Sequence, residues 1–193
     1  MMRKIIFIDR DGVINKDPGG WTENGYVTQW EDFHFLPGSI NALKKLNGAG
    51  YDIVMISNQA GVGKGYYTEK SLDDINRKML EEIEKKGARI KKTYYCVHQP
   101  GDNCDCRKPK PGLFKQAERE LGVSAAGNFF IGDGKMDIEA GAGMGMRTIL
   151  VLSGKTDLEK MKDWNLKPDY IFDDLNEATD FILKQKQLKQ TSP

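Results

Sequence analysis

Lys4-Ile-Ile-Phe-Ile8-Asp9-Arg10-Asp11-Gly12-Val13 runs apolar through Ile8, turns acidic in one step and then meets a glycine. An apolar run without alternation suits a strand buried on both faces, the pattern of a parallel sheet covered by helices. Asp9 and Asp11 then stand at the carboxyl end of that strand, where open α/β sheets bind ligands, and Gly12 lets the backbone turn sharply. Two carboxylates this close are poor company as anions unless a cation neutralises them. Mg²⁺, which takes a few carboxylates together with waters and phosphate oxygens, is the natural one. That chemistry points to phosphoryl transfer: one carboxylate attacks phosphorus, and the other protonates the leaving alcohol and later deprotonates water. Asp-x-Asp is also common in surface turns, so the rest of the chain has to decide.

Outward from this strand, short apolar runs alternate with amphipathic segments, the rhythm of an α/β fold with a mainly parallel sheet. Strands are expected at Lys4 to Ile8, Asp52 to Ile56, Thr93 to Val97, Asn128 to Ile131, Thr148 to Leu152 and Asp169 to Phe172. Helical spacing joins Ile40, Leu43 and Leu46 after Pro37-Gly38, and Leu72, Ile75, Met79 and Ile83 after the cap residue Thr68. Leu113, Phe114, Ala117 and Leu121 form a third stripe, ended by Gly122. All of these read as core. The polar stretch from Gln185 to Pro193 is expected to fray. The segment from Gly12 to Pro37, with Trp21, Tyr26, Trp30 and Phe33, shows no period and leaves the first strand at its ligand-binding end. It reads as a substrate-facing loop, with packing over the sheet edge as the alternative. His34, within it, is given no role.

Three further places reinforce the acidic pair. The second strand ends near Ser57-Asn58-Gln59, small polar donors able to cradle a phosphate with the following amides. The fourth ends on Gly132-Asp133-Gly134-Lys135-Met136-Asp137, bringing another carboxylate to the same sheet edge. Between them, Cys96-Val-His98-Gln-Pro-Gly-Asp-Asn-Cys104-Asp-Cys106-Arg107-Lys108-Pro109 holds all three cysteines and one of the two histidines. Cys96, His98, Cys104 and Cys106 are a full tetrahedral ligand set for structural Zn²⁺, leaving no open position for chemistry. A strained Cys104–Cys106 disulfide or plain buried thiols are the alternatives. The metal loop would preorganise the cations Arg107 and Lys108, and Pro109 stops a helix running through them.

The 193 residues suffice for one core and read as a single domain, with the polar tail from about residue 185. Lys plus Arg number 29 against 28 Asp plus Glu, so no bulk basic field exists to bind nucleic acid. The apolar runs are far too short to span a membrane, and no signal-peptide pattern opens the chain, so a cytoplasmic location is expected. Reduced thiolates fit that compartment. No obligate protein partner is implied.

Asp9-Arg-Asp-Gly-Val, Ser57-Asn, Lys108-Pro and Gly132-Asp-x-x-x-Asp137 resemble, in order and spacing, the four motifs of the haloacid dehalogenase superfamily of aspartate-nucleophile phosphatases. Gly25-Tyr-Val, Asn58-Gln59, Cys96-x-His98 and Cys104-Asp-Cys106-Arg107-Lys108-Pro109-x-Pro111-Gly112 are similar to its heptose 1,7-bisphosphate 7-phosphatase branch. Histidinol-phosphate phosphatases share much of the pattern. The resemblance implies a Rossmann-like three-layer, capless domain carrying a zinc-binding loop. It implies Asp9 as nucleophile and Asp11 as acid/base. It further implies Mg²⁺ on Asp9, the carbonyl of Asp11 and Asp133, and the phosphoryl group on Ser57 and Lys108. Glu23, Asn24, Gly25, Tyr26, Asn58, Gln59, Ala60 and Arg107 would contact the substrate, a small phosphorylated sugar. The expected reaction is removal of the 7-phosphate of a heptose 1,7-bisphosphate through an aspartyl phosphate, with histidinol phosphate as the alternative substrate. A zinc-braced binding module without catalysis is the alternative from another class, disfavoured by the intact acid pair.

The chain departs from the family pattern in three places. Gly134, followed by Lys135, stands where the family commonly has Lys directly after the metal-binding Asp. The stretch from Asp17 to Thr22 is longer than usual, and the segment from His98 to Cys104 is shorter.

Overall fold

The computed structural model describes residues 4–191. Six strands form one sheet: β1 (Lys4–Ile8), β2 (Tyr51–Asn58), β3 (Lys92–Cys96), β4 (Phe129–Gly132), β5 (Arg147–Val151) and β6 (Tyr170–Phe172). Their order is β3-β2-β1-β4-β5-β6, and every neighbouring pair is parallel. This order reverses direction at β1, so the crevice beside its carboxyl end is the topological switch point where such sheets bind ligands.

Strand side chains alternate between faces, which explains why both halves of an uninterrupted apolar run are buried. Ile6, Ile8, Ile53 and Met55 join α1 (Ser39–Gly48), α2 (Glu69–Lys85) and α6 (Leu175–Thr191) in one core through Leu43, Ile75, Met79 and Ile182. Ile5, Phe7, Val54 and Ile56 meet α3 (Gly112–Leu121) and α4 (Lys135–Gly143) through Leu113, Phe114, Ala117 and Ala140. A short helix, α5 (Leu158–Met161), follows β5. Local signals match these boundaries. Thr68 Oγ1 accepts from the Ser71 amide at 3.1 Å to cap α2, and Gly122 ends α3 with φ 63°.

The structure differs from expectation at several ends. β2 runs on through Ser57 and Asn58 because these pair with Tyr95 and Cys96 of β3, which fixes both polar residues in the ladder. β3, β4, β5 and β6 each shift by about one residue. Gln185 to Thr191 continues α6 instead of fraying: Ile182 is fully buried, and Lys186 donates to the carbonyl of Ala49 just beyond α1. The last two residues of that stretch lie outside the described residues.

The connection from β1 to α1 divides between the two readings of it. Phe33 is buried and stacks on Trp30 at 5.2 Å, with Phe35 edge-on at 5.0 Å, so this half packs on the core. The Glu23 and Asn24 side is exposed. No second sheet or cap domain interrupts the chain among the described residues. No described helix is long and apolar enough to cross a membrane.

Candidate active site and metal centre

The carboxyl ends of β1, β2 and β4 converge on a buried acid cluster. The Asp9 amide donates to the Ile131 carbonyl at 2.9 Å, continuing the β1–β4 ladder one residue past the strand. Gly12, at φ 77°, turns the chain where any Cβ would collide with the Asp133 carboxylate, and a Cβ on Gly154 would strike the same carboxylate. A Cβ on Gly132 would likewise strike Asp137. Carboxylate oxygens of Asp9, Asp133 and Asp137 lie within 4.8 Å of one another, and all three residues are buried.

Two lysines face these three acids. Lys108, 1% exposed, places Nζ 2.8 Å from Asp9 Oδ2 and 2.6 Å from Asp137 Oδ1, and donates to the Ile56 carbonyl at 2.9 Å. Asn58 fixes it from behind: its Oδ1 accepts from the Lys108 amide and its Nδ2 donates to the Lys108 carbonyl. Lys155 bonds Asp133 twice, through its amide to Oδ2 at 2.9 Å and its Nζ to Oδ1 at 3.1 Å. Burial pushes Asp9 upward, but Lys108, Lys155 and the Arg10 amide outweigh it and hold the carboxyl below its ordinary range. Burial wins at Asp133, aided by Asp137 and Asp9 against Lys155, and lifts it to about 7. Burial disfavours a charged Lys108, yet Asp137 and Asp9 raise its pKa overall. With all three acids ionised, two ammonium groups leave a negative surplus beside oxygen donors; the raised Asp133 shows the strain of that surplus, which a divalent cation such as Mg²⁺ would relieve.

Asp11 belongs to a separate network. It accepts from Arg10 Nε and Nη2 at 3.1–3.2 Å, from Asn15 Nδ2 at 2.8 Å and from Gln59 Nε2 at 2.8 Å. Arg10 is fully buried, its guanidinium 5.9 Å from the ring centres of both Phe33 and Tyr95. Gln59 Oε1 accepts from Arg10 Nη2 and from the Tyr67 hydroxyl, while Gln59 Nε2 also reaches Ser57 Oγ at 3.1 Å.

The cysteine window forms a second centre. Cys96 Sγ is 3.7 Å from both Cys104 Sγ and His98 Nδ1, and Cys106 Sγ lies 2.9 Å from Cys96 Sγ and 3.2 Å from His98 Nδ1. All three thiols are free, which removes the disulfide reading. Tetrahedral zinc with sulfur at about 2.3 Å separates its ligand atoms by a little under 4 Å; the two 3.7 Å separations match that spacing, the 2.9 Å and 3.2 Å ones are tighter, and the donor set is the one zinc takes.

Of the residues singled out from sequence, Asp9, Asp133, Ser57 and Lys108 come together at one edge. The side chains of Asn58 and Gln59 are taken up by Lys108 and by Asp11 with its neighbours, and Ala60 is buried. Glu23 and Asn24 are exposed; Tyr26 is half-buried, 5.7 Å from the ring of Tyr66, with Lys64 over it at 5.5 Å. Arg107 is half-buried and reaches the His98 carbonyl at 3.5 Å. Sequence reasoning gave no role to Arg10, Asn15, Tyr67, Asp137 or Lys155. Arg10 and Asp137 lie inside the quoted motifs, and Ser153-Gly154-Lys155 directly after a buried strand was a readable signal. Tyr67 offered none.

A profile described as HAD-hydrolase-like matches residues 105–178. The D-glycero-β-D-manno-heptose-1,7-bisphosphate 7-phosphatase of Pseudomonas putida is 34% identical over 174 residues, 89% of this chain and 95% of that protein. The chain belongs to that phosphatase family. The Helicobacter pylori member is 39% identical over 150 residues, covering 77% of this chain and 83% of its own. The D,D-heptose 1,7-bisphosphate phosphatase of B. bronchiseptica, solved with magnesium and phosphate, superposes with a TM-score of 0.86 at 30% identity. That match covers 94% of this chain and 99% of the other. The chain is therefore a haloacid dehalogenase-like phosphatase, a hydrolase of phosphoric monoesters.

Proposed function

We propose that this phosphatase removes the 7-phosphate of D-glycero-β-D-manno-heptose 1,7-bisphosphate, with Asp9 as nucleophile and Asp11 as acid/base. The observation that carries the reading is Asp9 itself, held ionised against Lys108 in a buried cluster with Asp133, in a chain whose relatives bear this activity in their names. The Asp9 carboxylate attacks phosphorus, the bond from phosphorus to the 7-oxygen breaks, and the Asp11 proton goes to the departing alkoxide. Asp11, then a carboxylate, takes a proton from water as that water attacks the aspartyl phosphate, releasing phosphate and restoring Asp9. The bonds from Arg10, Asn15 and Gln59 to its oxygens orient the Asp11 side chain, which supports this role. Lys108 and the Ser57 hydroxyl hold the transferring oxygens.

Asp9, Asp133 and the Asp11 carbonyl would hold Mg²⁺, whose chemistry is to neutralise the phosphoryl oxygens. Cys96, His98, Cys104 and Cys106 would hold zinc as a brace for Arg107 and Lys108. One phosphate occupies Ser57 and Lys108, which leaves Arg107 for a second anion, the 1-phosphate. The Tyr26–Tyr66 pair with Lys64 offers a wall for the sugar beside Glu23, Asn24 and Gly25. Reduced thiols and the soluble substrate fit the cytoplasm, with no nucleic acid or membrane partner.

Phosphate release from a panel of esters, with Mg²⁺ and with chelator, tests the assignment. Heptose 1,7-bisphosphate should be hydrolysed fastest, and only with the cation. Faster release from histidinol phosphate would transfer the assignment to that substrate.

A further inference from the structure

Lys155 occupies a place that the four motifs leave open. Gly134 has no side chain, and a Cβ there would lie 2.5 Å from Lys155 Cε and 2.9 Å from its Nζ. The space over Gly134 is thus filled by a lysine arriving from the loop after β5, not by a residue of the β4–α4 turn. That loop is anchored independently of the ammonium group: Ser153 Oγ donates to the Gly12 carbonyl at 2.7 Å, and the Lys155 amide donates to Asp133. The side chain is half exposed although its Nζ contacts Asp133, which is wholly buried, so it lies between solvent and the acid cluster.

We propose that Lys155 is a substrate-anchoring residue, its ammonium group binding the phosphoryl oxygens at the mouth of the cluster in the place left by Gly134. Lys108 cannot fill that role alone, because Asp9, Asp137 and the Ile56 carbonyl already surround its Nζ. Lys155 has one carboxylate partner and a solvent-facing stem, so its Nζ can exchange Asp133 for an incoming phosphate oxygen with little movement.

The charge arithmetic gives a test with opposite signs. Removing one positive charge from a site with a negative surplus favours a divalent cation and disfavours a phosphate dianion. Lys155→Met keeps most of the length of the side chain and the main-chain bond to Asp133, so it removes the ammonium group together with its one bond to Asp133 Oδ1. The probes are Mg²⁺ titrated calorimetrically into the free enzyme, and inorganic phosphate titrated into the Mg²⁺-loaded enzyme. Lys155→Met should bind phosphate about tenfold more weakly or worse, bind Mg²⁺ equally well or more tightly, and melt near the wild-type temperature. Lys155→Arg should recover most of the phosphate affinity. Unchanged phosphate binding in Lys155→Met overturns the proposal, as does parallel weakening of both ligands, which marks a structural role. The inference rests on the phosphatase reading, and the wild type separates the two failures. A wild type that binds no phosphate counts against that reading, whereas a wild type that binds it as well as Lys155→Met does rejects Lys155 alone.

Discussion

Lys108 Nζ sits closer to Asp137, at 2.6 Å, than to Asp9, at 2.8 Å. The lysine is therefore suspended between two acids and is not simply paired with the nucleophile. Asp137 also accepts from the Gly134 amide at 3.0 Å, so its two oxygens serve two donors. In Asp137→Asn, one of those donors loses its acceptor. Lys108 should fall back on Asp9 and mask it, lowering kcat about tenfold to a hundredfold with a smaller change in KM. Stability should drop by about 1.5–3 kcal/mol, the range for a hydrogen bond to a charged group. Steady-state kinetics and thermal melts decide it, and an unaltered kcat would show that Asp137 does not position Lys108.

Arg10 holds Asp11 with a two-pronged guanidinium that no lysine can copy. Arg10→Met leaves Asp11 without that partner and Gln59 Oε1 without one of its two donors. Breaking a buried pair on one side costs about 3–5 kcal/mol, and the partial exposure of Asp11 places this case at the lower end. Arg10→Lys should be nearly as damaging to turnover. Turnover of Arg10→Lys close to wild type would mean that charge alone suffices.

Metal content tests the cysteine centre. Protein purified without chelator should carry close to one zinc per chain, and Cys106→Ser should lower both zinc content and melting temperature. Activity should fall too, because Arg107 and Lys108 immediately follow the loop the metal would hold. Zinc-free protein of normal stability would remove the brace.

Substrate pairs isolate Arg107. Arg107→Ala should reduce kcat/KM much more for heptose 1,7-bisphosphate than for heptose 7-phosphate, since remote binding energy positions the reacting end. Lys108→Ala should damage both. Equal losses on the two substrates would show that Arg107 does not read the second phosphate.

The nucleophile admits the sharpest result. Asp9→Asn keeps the shape of the side chain but not its charge, so turnover should fall by several orders of magnitude while the fold persists. Near-normal turnover of that variant would refute the aspartyl-phosphate route.

The fold was legible because its strands are continuous apolar runs whose period needs no tertiary context, as at Ile5–Ile8 and Ile53–Ile56. α4 was not, because Gly141 and Gly143 dilute its apolar stripe and its helicity depends on packing against β4 and β5. α6 was not read from the sequence either, and past residue 185 it is tied by Lys186 to the carbonyl of Ala49, a contact that a local reading cannot contain. In the site, the clustered acids Asp9 and Asp133 were legible by type and by place at strand ends. Arg10 meets Gln59 only because β1 pairs with β2, Tyr67 reaches the same Gln59 from eight residues further on, and Lys155 meets Asp133 only because the chain returns after β5.

Gly12, Gly132 and Gly154 together leave Asp133 and Asp137 no second place to stand. The tolerance of the sequence to change follows from that crowding. A saturation library scored for growth or turnover should find these three glycines as intolerant as the acids they enclose, although none of them offers a functional group. Alanine, elsewhere the mildest replacement, should be rejected at all three. Part of the active site is thus written in atoms that are missing, and a survey keyed to polar side chains would pass over it.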